Sequence, residues 1–169
     1  MQQANQLFYL ILSIFIFSLA FNTYLEANKR KIQQQQQQQH YWIYGLTLLG
    51  LSCLSFTIAP ITNYFFLTIA NTLSLYSSIY IALLFTSWNR IIPEKTETLF
   101  VFFIIIYAGL FEYFRIVDNF VIRNYLAVLT LSTTMLYQAK QIFILRKKSI
   151  HLKFIFIILL SQASLALFK

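Results

Sequence analysis

The chain of 169 residues has little of what bends, breaks or cross-links a polypeptide: 3 Gly, 2 Pro and 1 Cys. A single cysteine, Cys53, excludes an internal disulfide, and no CxxC or Cys/His spacing offers a zinc or redox site. Its apolar surroundings read as a packing position. The scarce glycines form no phosphate-cradling loop, and neither HExxH nor GxSxG occurs. Charge is scarce as well. Charged residues make up 11% of the chain, with only 5 Asp and Glu, against about 25% in an ordinary soluble domain. The two histidines, His40 and His151, fall at the ends of apolar runs rather than inside them, where a bis-histidine haem would need them. No residue set for catalysis, a metal or a cofactor is found, and the expectation is a chain that is not itself an enzyme.

What is abundant is apolar. Hydrophobic residues are 59% and aromatics 18%, with 18 Phe and 11 Tyr, and the mean hydropathy is +0.65. One core of this size cannot bury that much, so lipid is the expected solvent. The net charge of +8 would point to nucleic acid in a soluble protein. Here the cations lie between apolar runs, so membrane topology accounts for them and no nucleic-acid partner is expected. Residues 7–21 resemble a signal sequence in length, but no basic stretch precedes them and no small-residue cleavage site follows. They read as a retained membrane helix.

Six runs are predicted to span: about 7–25, 42–59, 64–88, 98–114, 120–139 and 152–168. Each approaches the 20 residues that cross about 30 Å of hydrocarbon as a helix. Outer-membrane strands would alternate apolar and polar residues, and VFFIIIYAGLF and FIFIILL do not. The predicted fold is therefore an all-α, polytopic transmembrane bundle of six helices in one domain, 1–169. Pro60 closes the second run and Pro93 follows the third. The first connector contains NKRKIQQQQQQQH, whose glutamine run is read as a polar spacer or a helical extension of the first segment, with a partner-binding tract as the alternative.

Ten of the thirteen cations fall on one side: Lys29, Arg30, Lys31, Arg90, Lys95, Lys140, Arg146, Lys147, Lys148 and Lys153. Arg115, Arg123 and Lys169 fall on the other. Cationic loops stay in the cytoplasm, so the N-terminus is expected outside, and the location is the cytoplasmic (inner) membrane. Tyr41, Trp42, Tyr44 and Trp88 are expected as anchors at the inner boundary.

Two groups of polar residues are candidate sites. Asn71, Ser74 and Ser78 share one face of the third run, and Thr130, Thr134 and Gln138 one face of the fifth. They either pack helices or line a small pocket, to which Asn22 and Gln162 could contribute. At the outer end, Glu112, Arg115 and Asp118 follow at intervals of three, with Arg123 beyond. On a continuing helix these charges would meet, forming either a local ion-pair cluster or a polar lid. Glu112 within a span is also the candidate for a proton relay.

The layout resembles the N-terminal multi-helix membrane region of bacterial signalling proteins, GGDEF diguanylate cyclases and sensor histidine kinases. HYWIYGLTLLGLSCLSF, the break at Pro60, ANTLSLYSSIYIALLF and its ending FTSWNR, and the basic connector after the fifth run carry the resemblance. It implies a helical sensor of a ligand, lipid or membrane state, a homodimer, and a cytoplasmic output domain or partner signalling protein. No GGDEF or kinase motif is found. Six helices beginning outside also end outside, so a longer architecture with a seventh helix is expected. The alternatives are a small transporter or channel subunit and a structural subunit of a larger complex.

Overall fold

A computed structural model describes residues 2–27 and 33–145. Among them the fold is all-α, with five helices: α1 (Gln2–Ala27), α2 (Gln33–Ile58), α3 (Phe65–Ser87), α4 (Glu94–Ile116) and α5 (Phe120–Leu145). Four are long and apolar enough to cross a membrane: Asn5–Glu26, Gln35–Ile58, Phe65–Ser87 and Glu94–Ile116. The chain is a membrane protein on this ground, and its surface agrees. Phe8, Phe15, Phe21, Phe102, Ile105 and Ile106 are all exposed, an arrangement suited to lipid rather than water.

Of the six expected spans, four are supported among the described residues. α5 has the length, 26 residues, but Arg123, Asn124, the Ser132–Thr133–Thr134 triplet, Gln138 and Lys140 dilute its apolar character. The sixth expected span, 152–168, lies outside the described residues, as do His151, Gln162 and the cations Lys29, Arg30, Lys31, Arg146, Lys147, Lys148, Lys153 and Lys169.

Helix boundaries follow local chemistry. The glutamine run belongs to the start of α2, not to the end of the first segment, because glutamine is a good helix former and nothing stops α2 from extending through it. α2 ends before Pro60, and the Asn63 side chain accepts the Phe65 N–H at 2.9 Å to begin α3. α4 starts at Glu94 rather than 98, with Pro93 in extended conformation as its cap. Glu94 and Glu97 lie in its first turn, where carboxylates oppose the positive helix end. α4 stops at a left-handed residue, Asp118, with φ 54°. The Asn119 N–H then reaches the Phe114 carbonyl at 3.0 Å, closing a Schellman turn. Asn119 accepts the Ile122 N–H at 3.1 Å and so caps α5.

α3 is the hub. It packs against α2, α4 and α5, whereas α1 packs on α2 alone. α2 approaches its neighbours closely because small residues face them. A Cβ on Gly45 would stand 3.2 Å from Ile81, and one on Gly50 2.9 Å from the Phe17 ring. Two hydroxyls bridge α2 and α3 reciprocally: Ser52 donates to the Ala70 carbonyl at 2.8 Å, and Ser77 to the Gly45 carbonyl at 2.7 Å. One apolar cluster joins α2, α3 and α4 around Leu75, Ile79 and Leu83. A second joins α1 and α2 around Ile16, Ala20, Leu46 and the buried Cys53.

Candidate functional site

Three polar sites and one apolar cavity stand along the bundle. The polar stripes of α3 and α5 meet in part. Ser78 and Thr134 share a hydrogen bond at 2.8 Å. Gln138 donates its amide to the Ser78 carbonyl at 2.8 Å and to the Ser78 hydroxyl at 3.0 Å. The remaining candidates do not join them. Asn71 donates back to the Leu67 carbonyl of its own helix at 2.7 Å, and Thr130 does the same to Leu126 at 2.7 Å. Ser74 is half-buried on α3, and Asn22 lies exposed on α1, which has no contact with α5. The α3–α5 seam instead continues toward the C-terminal end of α3, where Thr86 pairs with the Tyr137 hydroxyl at 3.2 Å.

At the end where α3 begins and α4 finishes, Glu112 accepts from the Thr68 hydroxyl and from both Nε and a terminal nitrogen of Arg115. This fork-like pair ties α4 to itself and, through Thr68, to α3. The expected meeting of Arg115 with Asp118 does not form, because the helix does not continue: Asp118 is the left-handed turn residue. Arg123 also stays apart from the carboxylates. Its guanidinium lies over the Phe120 ring at 5.4 Å and the Phe111 ring at 5.9 Å, a cation–π contact that joins α5 to α4.

The opposite end holds residues that sequence reading missed as a site. Gln37 donates to the Ile92 carbonyl at 2.9 Å and accepts the Ile92 N–H at 3.2 Å, so one side chain clamps both backbone groups of the α3–α4 connector. Gln38 donates to the Ser87 carbonyl at 3.3 Å, near the end of α3. Tyr41, fully buried, donates to the Glu97 carboxylate. A repetitive run carries no side-chain pattern that tells Gln37 from its neighbours. The signal available was Tyr41, an aromatic expected at the boundary, four residues from Gln37 and so on its face.

The apolar cavity, about 420 Å³, lies between α3, α4 and α5. Ile79 and Leu83 of α3, Phe100 and Phe103 of α4, and Thr133 and Tyr137 of α5 are among the residues lining it. Thr134 also lines it, so the cavity adjoins the Ser78–Thr134–Gln138 knot. Its volume and apolar walls fit a small ligand or part of a lipid chain. Among the described residues no group of three His, Cys, Asp or Glu could hold a metal ion. Comparison with protein-family models, with curated proteins and with solved structures finds no match.

Proposed function

We propose that this chain is a membrane-embedded sensory module whose input is an apolar molecule taken up between α3, α4 and α5. The observation that carries the reading is the apolar cavity of about 420 Å³ at that seam, placed where α5 is held to α3 by a few side-chain hydrogen bonds. An occupant that favours one setting of α5 shifts the population of helix arrangements. α5 is 26 residues long and leads directly into the basic sequence RKK at 146–148. With the N-terminus outside the cytoplasmic membrane and α5 crossing as a fifth span beside α3, that basic sequence lies on the cytoplasmic side, which suits an output there. A cytoplasmic signalling partner or domain reads the shift, with a homodimer as the working unit. The resemblance to membrane regions of signalling proteins points the same way. The transporter reading gains less, since Ser78, Thr134 and Gln138 spend their polar atoms on one another.

The test is a distance measurement. In a Cys53→Ser background, spin labels at Ile91→Cys and Ile144→Cys, both exposed positions, report on α5 relative to the α3–α4 connector. Adding oleic acid to the detergent-solubilised protein should move the distance distribution by about 1–2 Å, the scale of helix shifts in switching proteins. Thr133→Phe should produce the same displacement without oleic acid by filling the cavity. A distribution that neither treatment moves defeats the proposal.

A further inference from the structure

At the end of the bundle where the first and third connectors emerge, α1 leans on α2 without reaching α3. The space left between the three helix ends is a cavity of about 620 Å³. Glu26 enters it from α1, Gln38, Gln39 and Trp42 from α2, and Phe85 and Trp88 from α3. Its chemistry differs from that of the apolar cavity between α3, α4 and α5. Among the described residues no basic side chain lines it. Glu26 offers a carboxylate that makes no ion pair among the described residues. The side-chain oxygen of Gln39 is buried and has no hydrogen-bond partner among the described residues. Three aromatic rings form walls, two of them edge to face, Phe85 and Trp88, with centroids 5.2 Å apart.

Each feature selects for part of a ligand. Aromatic faces attract cations, tryptophan most strongly. A carboxylate adds net attraction for positive charge. The orphaned Gln39 oxygen asks for a donor, because a buried acceptor left without one keeps its desolvation cost. A quaternary ammonium has the charge but no N–H, and an alcohol has a donor but no charge. Of these three, only a protonated amine supplies both. We infer that this cavity binds a primary alkylammonium group, with the rings around its alkyl stem and its N–H donors on Glu26 and Gln39. Two tryptophans set the depth at the headgroup boundary, so the amine could belong to an ethanolamine phospholipid or to a soluble amine.

The chain has only two tryptophans, and both line this cavity, so intrinsic tryptophan emission reports on it directly. The full chain in detergent micelles is titrated with n-butylammonium chloride, tetramethylammonium chloride and 1-butanol at constant ionic strength. Butylammonium is expected to change the emission saturably, with an affinity about fivefold above that of tetramethylammonium, the margin of one hydrogen bond. Butanol is expected to give no saturable change. Gln39→Leu should bring the two cations to equal affinity, and Glu26→Gln, at an exposed position, should weaken both about fivefold. In phosphatidylglycerol nanodiscs, added phosphatidylethanolamine reproduces the change and blocks the butylammonium titration if the source is a lipid. Butylammonium binds regardless of phosphatidylethanolamine if the source is soluble. The inference is overturned if butanol titrates as well as butylammonium, or if both variants bind butylammonium like the wild type.

Discussion

The α2–α3 seam and the α3–α5 seam solve the same problem by opposite means. α2 and α3 meet backbone to backbone. A side chain at Gly45 would crowd Ile81, and Ser52 and Ser77 cross the seam to carbonyl oxygens in both directions. α5 meets α3 through longer side chains, Gln138 and Tyr137, and a cavity of about 420 Å³ lies beside them. Burial follows this division. α3 buries twelve of its residues, α4 three and α5 five. Small residues let helices approach until nothing else fits, whereas long polar ones hold helices at a distance and leave space. The same rule places the second cavity, since α1 packs on α2 but stands clear of α3.

The contrast can be broken most strongly at the glycines. Gly45→Leu pushes against Ile81 and is expected to destabilise the protein by about 1–3 kcal/mol through overpacking. Gly109→Leu in α4 meets nothing within 4 Å and is expected to be neutral or to stabilise by up to about 0.8 kcal/mol through helix propensity. Thermal unfolding in detergent compares them, and equal melting temperatures would erase the distinction between the tight and the loose seams. The next effect is smaller. Gln138→Leu removes both hydrogen bonds to Ser78 and is expected to cost about 0.6–1.7 kcal/mol, the range for interhelical bonds in membranes. A double-mutant cycle with Ser78→Ala should return a coupling of about 0.5 kcal/mol or more. Additive behaviour would mean that the Ser78 hydroxyl and the Gln138 amide do not hold α5 to α3 together. The smallest effect belongs to the end where α3 begins and α4 finishes. Arg115 and Glu112 are each 23% exposed, so Arg115→Ala is expected to cost less than about 1 kcal/mol. A loss of several kcal/mol in the same unfolding measurement would make that pair a principal tie between α3 and α4.

Hydropathy made α3 legible nearly to the residue, 64–88 against Phe65–Ser87, because polar turns flank an unbroken apolar run. It misplaced the starts of α2 and α4, where Gln33 and Glu94 are polar yet suit a helix. α5 matches a span in length but is less apolar than the four spanning stretches, because of its Thr, Ser and Gln content. At the candidate site, helical periodicity put Ser78 beside Thr134 and Gln138 correctly. It could not show that Asn71 and Thr130 satisfy themselves on their own helices, since a side chain's choice between its own carbonyl and a neighbour's depends on how near the neighbour comes. Asp118 was misread for a related reason. The spacing from Arg115 assumed a helix, and only the left-handed backbone at Asp118 shows where the helix stops.

The glutamine run has one more property. Inserting a glutamine anywhere into seven identical residues yields the same sequence, one residue longer. The helix phase is anchored downstream by Tyr41, so the amides that clamp Ile92 and the end of α3 are always those two and three places before His40. Expansion therefore adds residues only at the far end of α2, and loss of the first two glutamines leaves the clamping pair in place. A change in repeat number would thus leave these contacts constant.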